Sequence, residues 1–297
     1  MANVRDIITQ QFIDALAKDK IPWRRPWSLG VPQNVEGRPY SGINRFLLAF
    51  LPYKDPRYVT MKHCNRLGGK IKQGEHGHII CYYGPGSKKQ VANTDGTTTE
   101  KQNRILLYYR VFNVEQTEGM NVKELETHTI DSVQVAEEID ACFIDKPEIR
   151  WGNDKAAYSP TLDLIYMPDR DSFVSSEEFY STKWHEFGHS TKHETRLNRK
   201  SDKDHDDVGR EAYSREELVA EMTAAFLLAE AGMDSPEVME NAEAYIQSWS
   251  RALSNDPSMV TWAAAKAAQA ADYILGKHRI LQDVQEAVVS EENLIAA

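Results

Sequence analysis

The sequence predicts an α+β chain of two domains, the first of mixed helix and strand and the second mainly helical with a small sheet. Three observations predict it. Charge divides unevenly along the 297 residues: positions 1–125 hold 19 Lys and Arg against 11 Asp and Glu, and the remaining positions hold 16 against 34, so a balance of +8 is followed by one of −18. The first part alternates short apolar runs with Pro and Gly breaks, while the second runs in long stretches of helical period. The stretch "TKWHEFGHSTKHETR", residues 182–196, sets a His-Glu-x-x-His motif in one of those helical stretches. We place the domains at 1–125 and 136–297, joined by an acidic linker at 126–135.

Bulk properties exclude several classes. At 41% hydrophobic and 27% charged residues the chain reads as globular. Its apolar runs fall short of the roughly 20 residues that span a membrane, and "MANVRDIITQQFIDALAKDK" alternates charged and apolar residues, unlike a secretory signal. Cys64, Cys81 and Cys142 form no C-x-x-C, which argues against a disulfide framework and a cysteine zinc site. A cytoplasmic protein with no membrane partner is expected.

In chain order, Val4, Ile7, Ile8, Phe12 and Leu16 have helical spacing, and "IPWRRPW" and "GRPYSG" then break the pattern. "RYVTMKHCNR" suggests a short helix, and "HGHIICYY" and "RILLYYRVFNVEQ" suggest two antiparallel strands joined by a long mobile loop at 84–103. "AAYSPTLDLIYMP" suggests a strand pair turning at Ser159-Pro160, able to hold an extended peptide along its edge. Ser175 with Glu178 offers a capping box that opens a helix over about 176–194. "SREELVAEMTAAFLLAEAG" is a second helix ending at Gly232. Two more begin at Ser235-Pro236 and Asp256-Pro257, with Pro at the first helical position, and the last ends at Gly276.

The chemistry centres on the first of these helices. Residues four apart lie on one helical face, about 6 Å along the axis, so His185 and His189 can converge on one Zn²⁺ at about 2.0–2.1 Å. Glu186 lies beside them, placed to act as general base on the attacking water. His193 is eight residues from His185, about 12 Å along the axis, too far to share that ion. Lys192 and Thr195 stand where a metzincin needs Gly and a third His. A third ligand should come from another helix. Glu217 and Glu221 share a face with Ala224, Ala225 and Leu228, and buried carboxylates on an apolar face are rare unless paired or metal-bound. Glu216 lies about 100° away and is expected to be solvated. Glu217-x-x-x-Glu221 resembles the Glu-x-x-x-Asp/Glu of gluzincin metallopeptidases, which implies Glu217 as third ligand and Glu221 as the group orienting a ligand histidine; Glu221 as ligand is the alternative. The donor set suits zinc and also accepts manganese, cobalt or nickel. Gly188 inside the helix implies a close crossing by a neighbouring helix. Tyr213 is a candidate oxyanion donor.

The first part interleaves cations with aromatics: Trp23, Arg24, Arg25 and Trp27, then Arg38, Tyr40, Asn44 and Arg45, with Lys70, Lys72, Lys88 and Lys89 further on. Cations neutralise phosphates and aromatic faces stack unpaired bases, so single-stranded DNA is the expected partner.

Taken together, "PWRRPW", "YSGINRFLL", "YVTMKHCNRLGGKIKQGEHG", "YYRVFNVEQTEG", "WHEFGHSTKHETRLNR" and "YSREELVAEMTAAFLL" resemble the ArdC-type antirestriction proteins along nearly the whole chain. That resemblance implies a single-stranded DNA-binding domain fused to a zincin-type metallopeptidase domain, protecting incoming conjugative plasmid DNA from host restriction. Lys192 stands where the family phrase often has Gly. Two other functions suit the same residues: a metalloprotease that cleaves proteins on DNA, such as a restriction component, and a zincin-fold DNA-binding protein that is catalytically idle.

Overall fold

The computed structural model describes residues 4–18, 21, 31–49, 51–92, 98–123, 131–199, 215–233 and 242–277. The first domain begins with α1 (Val4–Leu16), whose Ile8, Phe12 and Leu16 are buried as their spacing predicts. It continues with β1 (Gln33–Asn34), α2 (Ile43–Ala49), β2 (Arg57–Val59), α3 (Met61–Arg66), β3 (Lys70–Ile71), β4 (His78–Ala92), β5 (Thr98–Asn113) and β6 (Thr117–Glu118). The main sheet runs β1-β2-β5-β4, with β5 antiparallel to both of its neighbours. Thr60 caps α3 by accepting from the His63 amide.

The hairpin differs from expectation. Within the stretch placed as a loop at 84–103, the described residues form a two-stranded ribbon: Gly84 and Pro85 pair with Ile105 and Arg104, the register shifts between Pro85 and Lys88, and Lys88 to Ala92 then pair with Gln102 to Thr98. Cross-strand pairing with a Thr-rich partner outweighs the loop-like composition of either segment alone.

The second domain holds α4 (Ser132–Cys142), β7 (Glu148–Arg150), β8 (Ala157–Ser159), β9 (Leu164–Tyr166), α5 (Ser176–Ser190), α6 (Arg215–Ala231), α7 (Ala242–Asn255) and α8 (Met259–Ile274). α4 starts at Ser132, inside the stretch read as linker. The small sheet is β7-β9-β8, with β8 antiparallel on an edge. Ser175 caps α5 by accepting from the Glu178 amide. The helix ends at Ser190 rather than 194, because the Ser190 and Thr191 hydroxyls bond back to the carbonyls of Phe187 and Gly188 and the chain turns away. Gly232, at φ +67°, closes α6 in the left-handed conformation that favours glycine.

One continuous core joins the domains. Ile8, Phe12, Leu16 and Phe46 share it with Phe226, Trp249, Leu253 and Val260. Thr9 Oγ1 donates to the Pro257 carbonyl at 2.7 Å, and the Phe46 and Phe226 rings lie 4.5 Å apart. Among the described residues no helix is long and apolar enough to cross a membrane.

Candidate metal centre

The centre is built where α5 crosses α6. Gly188 is the contact point: a Cβ there would lie 2.9 Å from Ala220 Cα and 3.2 Å from Thr223 Cβ. The glycine therefore permits the close crossing its position implied. At that separation the His-bearing face of α5 meets the carboxylate-bearing face of α6.

Three side chains converge. His185 Nε2 and His189 Nε2 are 3.1 Å apart. Glu217 Oε2 lies 3.4 Å from His185 Nε2, and Glu217 Oε1 lies 3.3 Å from His189 Nε2. Three donors holding one tetrahedral ion at about 2.0–2.1 Å stand about 3.3–3.4 Å from each other. Glu217 meets each histidine through a different oxygen, and the distances of 3.1, 3.3 and 3.4 Å lie close to that spacing, so the residues present fit a divalent metal. These same three form the metal-competent cluster among the described residues. Two imidazoles and one carboxylate are also the donor set of a catalytic site that keeps a coordination position open.

Electrostatics agree with the geometry. Burial works against a charge on His189, but the Glu216 and Glu217 carboxylates outweigh it and hold the imidazole up to about 10. Burial likewise raises Glu217, and hydrogen bonding to both histidines overrides it, bringing the carboxyl down to about 2. In the ion-free protein, His189 and Glu217 hold each other in the charge states a cation would replace.

Glu186 is buried, at 7% exposure, one residue from His185. His193 sits in the turn beyond α5, its Nδ1 2.8 Å from Thr195 Oγ1, outside the cluster. Glu221 is half-buried on the next turn of α6.

Glu216 departs from expectation. It is turned inward, 3.9 Å from His189 Nδ1, and bonded by both carboxylate oxygens to the buried Arg199 guanidinium. Arg199 also donates to the Gly188 carbonyl at 3.2 Å and to Thr191 Oγ1 at 2.9 Å. Glu216 and Arg199 thus pin the far side of the His189 ring and the end of α5. Helical angle alone placed Glu216 in water; the loop carrying Arg199 folds over that face and covers it. Nothing in the local spacing links these two residues, and 17 positions separate them.

The residues expected to touch DNA are scattered. Trp23, Arg24, Arg25 and Trp27, and likewise Tyr213, lie outside the described residues. Arg38 is exposed beside β1, and Lys88 is exposed on β4; Lys89 follows it on the strand. Lys70 pairs with Glu118 at 3.1 Å, and Lys72 Nζ donates to the Glu115 carbonyl at 2.7 Å. Tyr40 is half-buried against Leu48 and Tyr58. Two residues are turned inward instead. Asn44 clamps α2 to β4 through both the N–H and the carbonyl of Cys81. Arg45 is buried, donating to the Phe226 carbonyl at 3.1 Å, pairing with Glu230 at 3.3 Å and lying over the Phe226 ring. It joins α2 to α6 and offers no surface to a phosphate, because the two domains pack where one domain alone would expose it. Sequence reasoning passed over Tyr82, Leu107 and Tyr109, exposed together on one face of the ribbon with the tyrosine rings 6.5 Å apart. Aromatics alternating on paired strands were the available signal.

Comparison with known proteins follows the same division. Residues 2–114 match the N-terminal domain of anti-restriction factor ArdC, and residues 137–266 match a zincin-like metallopeptidase domain. The chain carries the ArdC N-terminal domain followed by a zincin-like metallopeptidase domain. The crystal structure of the antirestriction ArdC protein from plasmid R388, metal-free, is similar at 29% identity and a TM-score of 0.70, over 92% of this chain and 97% of that one. An Mn(II)-bound structure of the same ArdC protein is similar at 28% identity with the same TM-score and coverage. A DNA primase TraC of Escherichia coli is 32% identical over 90% of this chain, which spans 26% of that protein's length. The chain joins an ArdC N-terminal domain to a zincin-like domain in which His185, His189 and Glu217 fit a divalent metal.

Proposed function

We propose that this chain binds single-stranded DNA through its N-terminal domain, carries a zinc-dependent peptidase-type centre in its C-terminal domain, and protects incoming conjugative plasmid DNA from host restriction in the cytoplasm of the recipient cell. The observation that supports this most is the convergence of His185, His189 and Glu217 at metal-ligand spacing in a chain of ArdC organisation. A divalent metal held there supplies Lewis acidity to the substrate carbonyl and lowers the pKa of water. Glu186 accepts a proton from the attacking water and returns it to the departing amine. Glu216 and Arg199 hold the His189 ring in place. β8, on the sheet edge beside α5, pairs with the backbone of an extended protein substrate such as a restriction component. The division into 1–125 and 136–297 belongs to the same reading, with the join shortened to the residues ahead of Ser132.

The test compares single- and double-stranded oligonucleotides of one length across a salt series. Single strands are expected to bind more tightly, with affinity falling linearly in log salt by a slope of about 0.7 per phosphate contact. Equal affinity for the two forms would refute the stacking argument. Protection of transferred DNA is then measured with Glu186→Ala; loss of protection at full metal content ties protection to hydrolysis, and survival removes proteolysis from the mechanism.

A further inference from the structure

We propose that the cavity between the two domains is a nucleotide-binding site that takes a phosphate against Arg5 and Lys266 and an aromatic base against Trp262. The cavity encloses about 550 Å³, within the roughly 300–1,000 Å³ typical of small-molecule sites. Both domains build it: Arg5 comes from α1, Ser41 from the turn into α2, and Trp262 and Lys266 from α8.

Charge selects the ligand. Among the described residues no carboxylate lines the cavity, although the second part of the chain carries a balance of −18. An acid-free wall with one cation from each domain favours an anion. Lys266 Nζ makes a 3.3 Å bond to the neutral Gln269 amide, which a phosphate oxygen outcompetes by charge. The aromatic wall selects within the anions. The Arg215 guanidinium packs 5.4 Å from the centre of the Trp262 ring and is not itself part of the cavity wall, so it steadies the indole from outside. A base stacks on such a ring whatever its identity. Apart from Ser41, the polar neighbours are engaged elsewhere: Ser258 Oγ donates to Asp256, Thr261 Oγ1 donates to the Ser258 carbonyl, and Asn44 holds Cys81. Recognition therefore rests on charge and stacking, which every nucleotide satisfies. The cavity also has a route outward. Leu106 lines it, and Tyr108, two residues along the same face of β5, is about half exposed.

The inference rests on reading the N-terminal domain as nucleic-acid-binding, and it adds a place where that ligand touches both domains. The nucleotide is either one unit of a bound strand or a free mononucleotide. The test uses the full metal-loaded chain. Deoxythymidine and deoxyadenosine monophosphates are titrated by calorimetry, and a labelled oligo-dT by anisotropy. Both mononucleotides are expected to bind with similar affinity. Lys266→Gln weakens them about tenfold or more at unchanged metal content, Trp262→Leu does the same, and Trp262→Phe retains binding. Displacement of the mononucleotide by oligo-dT identifies a unit of the strand; simultaneous binding identifies a free nucleotide, and each result supports the site. The proposal is overturned if neither mononucleotide binds, if deoxythymidine without its phosphate binds as well, or if Lys266→Gln changes nothing. Should oligo-dT bind the parent chain and both variants alike while mononucleotides do not bind, this inference fails and the nucleic-acid reading stands. Should oligo-dT fail on the parent chain while mononucleotides bind as expected, the nucleic-acid reading fails and the cavity stands as a free-nucleotide site.

Discussion

Gly188→Ala tests whether the helix crossing sets the metal centre. The added methyl would sit 2.9 Å from Ala220 Cα, which is backbone and cannot rotate aside, and 3.2 Å from Thr223 Cβ. Ordinary carbon contacts are about 3.5–4.0 Å, so α5 and α6 must separate by about 0.5–1 Å. Alanine gains about 1 kcal/mol of helix propensity over glycine, and overpacking costs about 1–3 kcal/mol, so the expected net change is a loss of up to about 2 kcal/mol. The metal centre should respond more sharply. His185 and His189 ride on α5 and Glu217 on α6, so the two edges now at 3.4 and 3.3 Å lengthen while the His–His edge stays fixed. Metal affinity, read by competition with a chromogenic chelator, is expected to fall about tenfold or more, with urea unfolding measured on the ion-free protein. An alanine variant that is more stable than the parent and binds metal equally well would refute the crossing argument.

Other outcomes follow from the same geometry. Glu217→Ala should abolish stoichiometric metal binding, while Glu216→Gln, which loosens only the support of His189, should weaken it about 10–100-fold; equal losses in the two variants would contradict the assignment. Glu186→Ala should retain metal by elemental analysis and lose hydrolysis of any peptide substrate found. In the ion-free protein His189 is held up to about 10, so its contribution to stability is full below about 6.5 and disappears as pH rises through 10. Glu217, brought down to about 2, contributes above about 4.5 and fails as pH falls toward 2. Thermal unfolding of the ion-free protein should therefore lose this pair's stabilisation between pH 6.5 and 10, and metal affinity should rise over the same window because binding expels the His189 proton. Arg45→Ala should destabilise the whole chain by about 1–3 kcal/mol in denaturant unfolding, since it removes buried bonds between α2 and α6.

Local spacing carried the centre of the molecule into view. His185 and His189 stand four apart on a capped helix, and Gly188 between them signalled a crossing that the structure places at Ala220. Glu217 was legible because an acid on an apolar face needs a partner. Residues whose roles depend on distant segments were not legible. Glu216 is covered by Arg199, which reaches it only after α5 has ended and the chain has turned. Arg45 stands beside the apolar run Phe46-Leu47-Leu48, and its own burial is decided by α6, more than 180 residues downstream. The segments 84–92 and 98–103 each have the composition of a loop, and each becomes regular through pairing with the other.

The account stands most directly on the identity of the three ligands. Crystals grown with manganese or zinc and measured at the metal absorption edge should show one anomalous peak about 2.0–2.2 Å from His185 Nε2, His189 Nε2 and a Glu217 oxygen. A peak that Glu221 or His193 ligates in place of Glu217, or no peak at saturating metal, would contradict it.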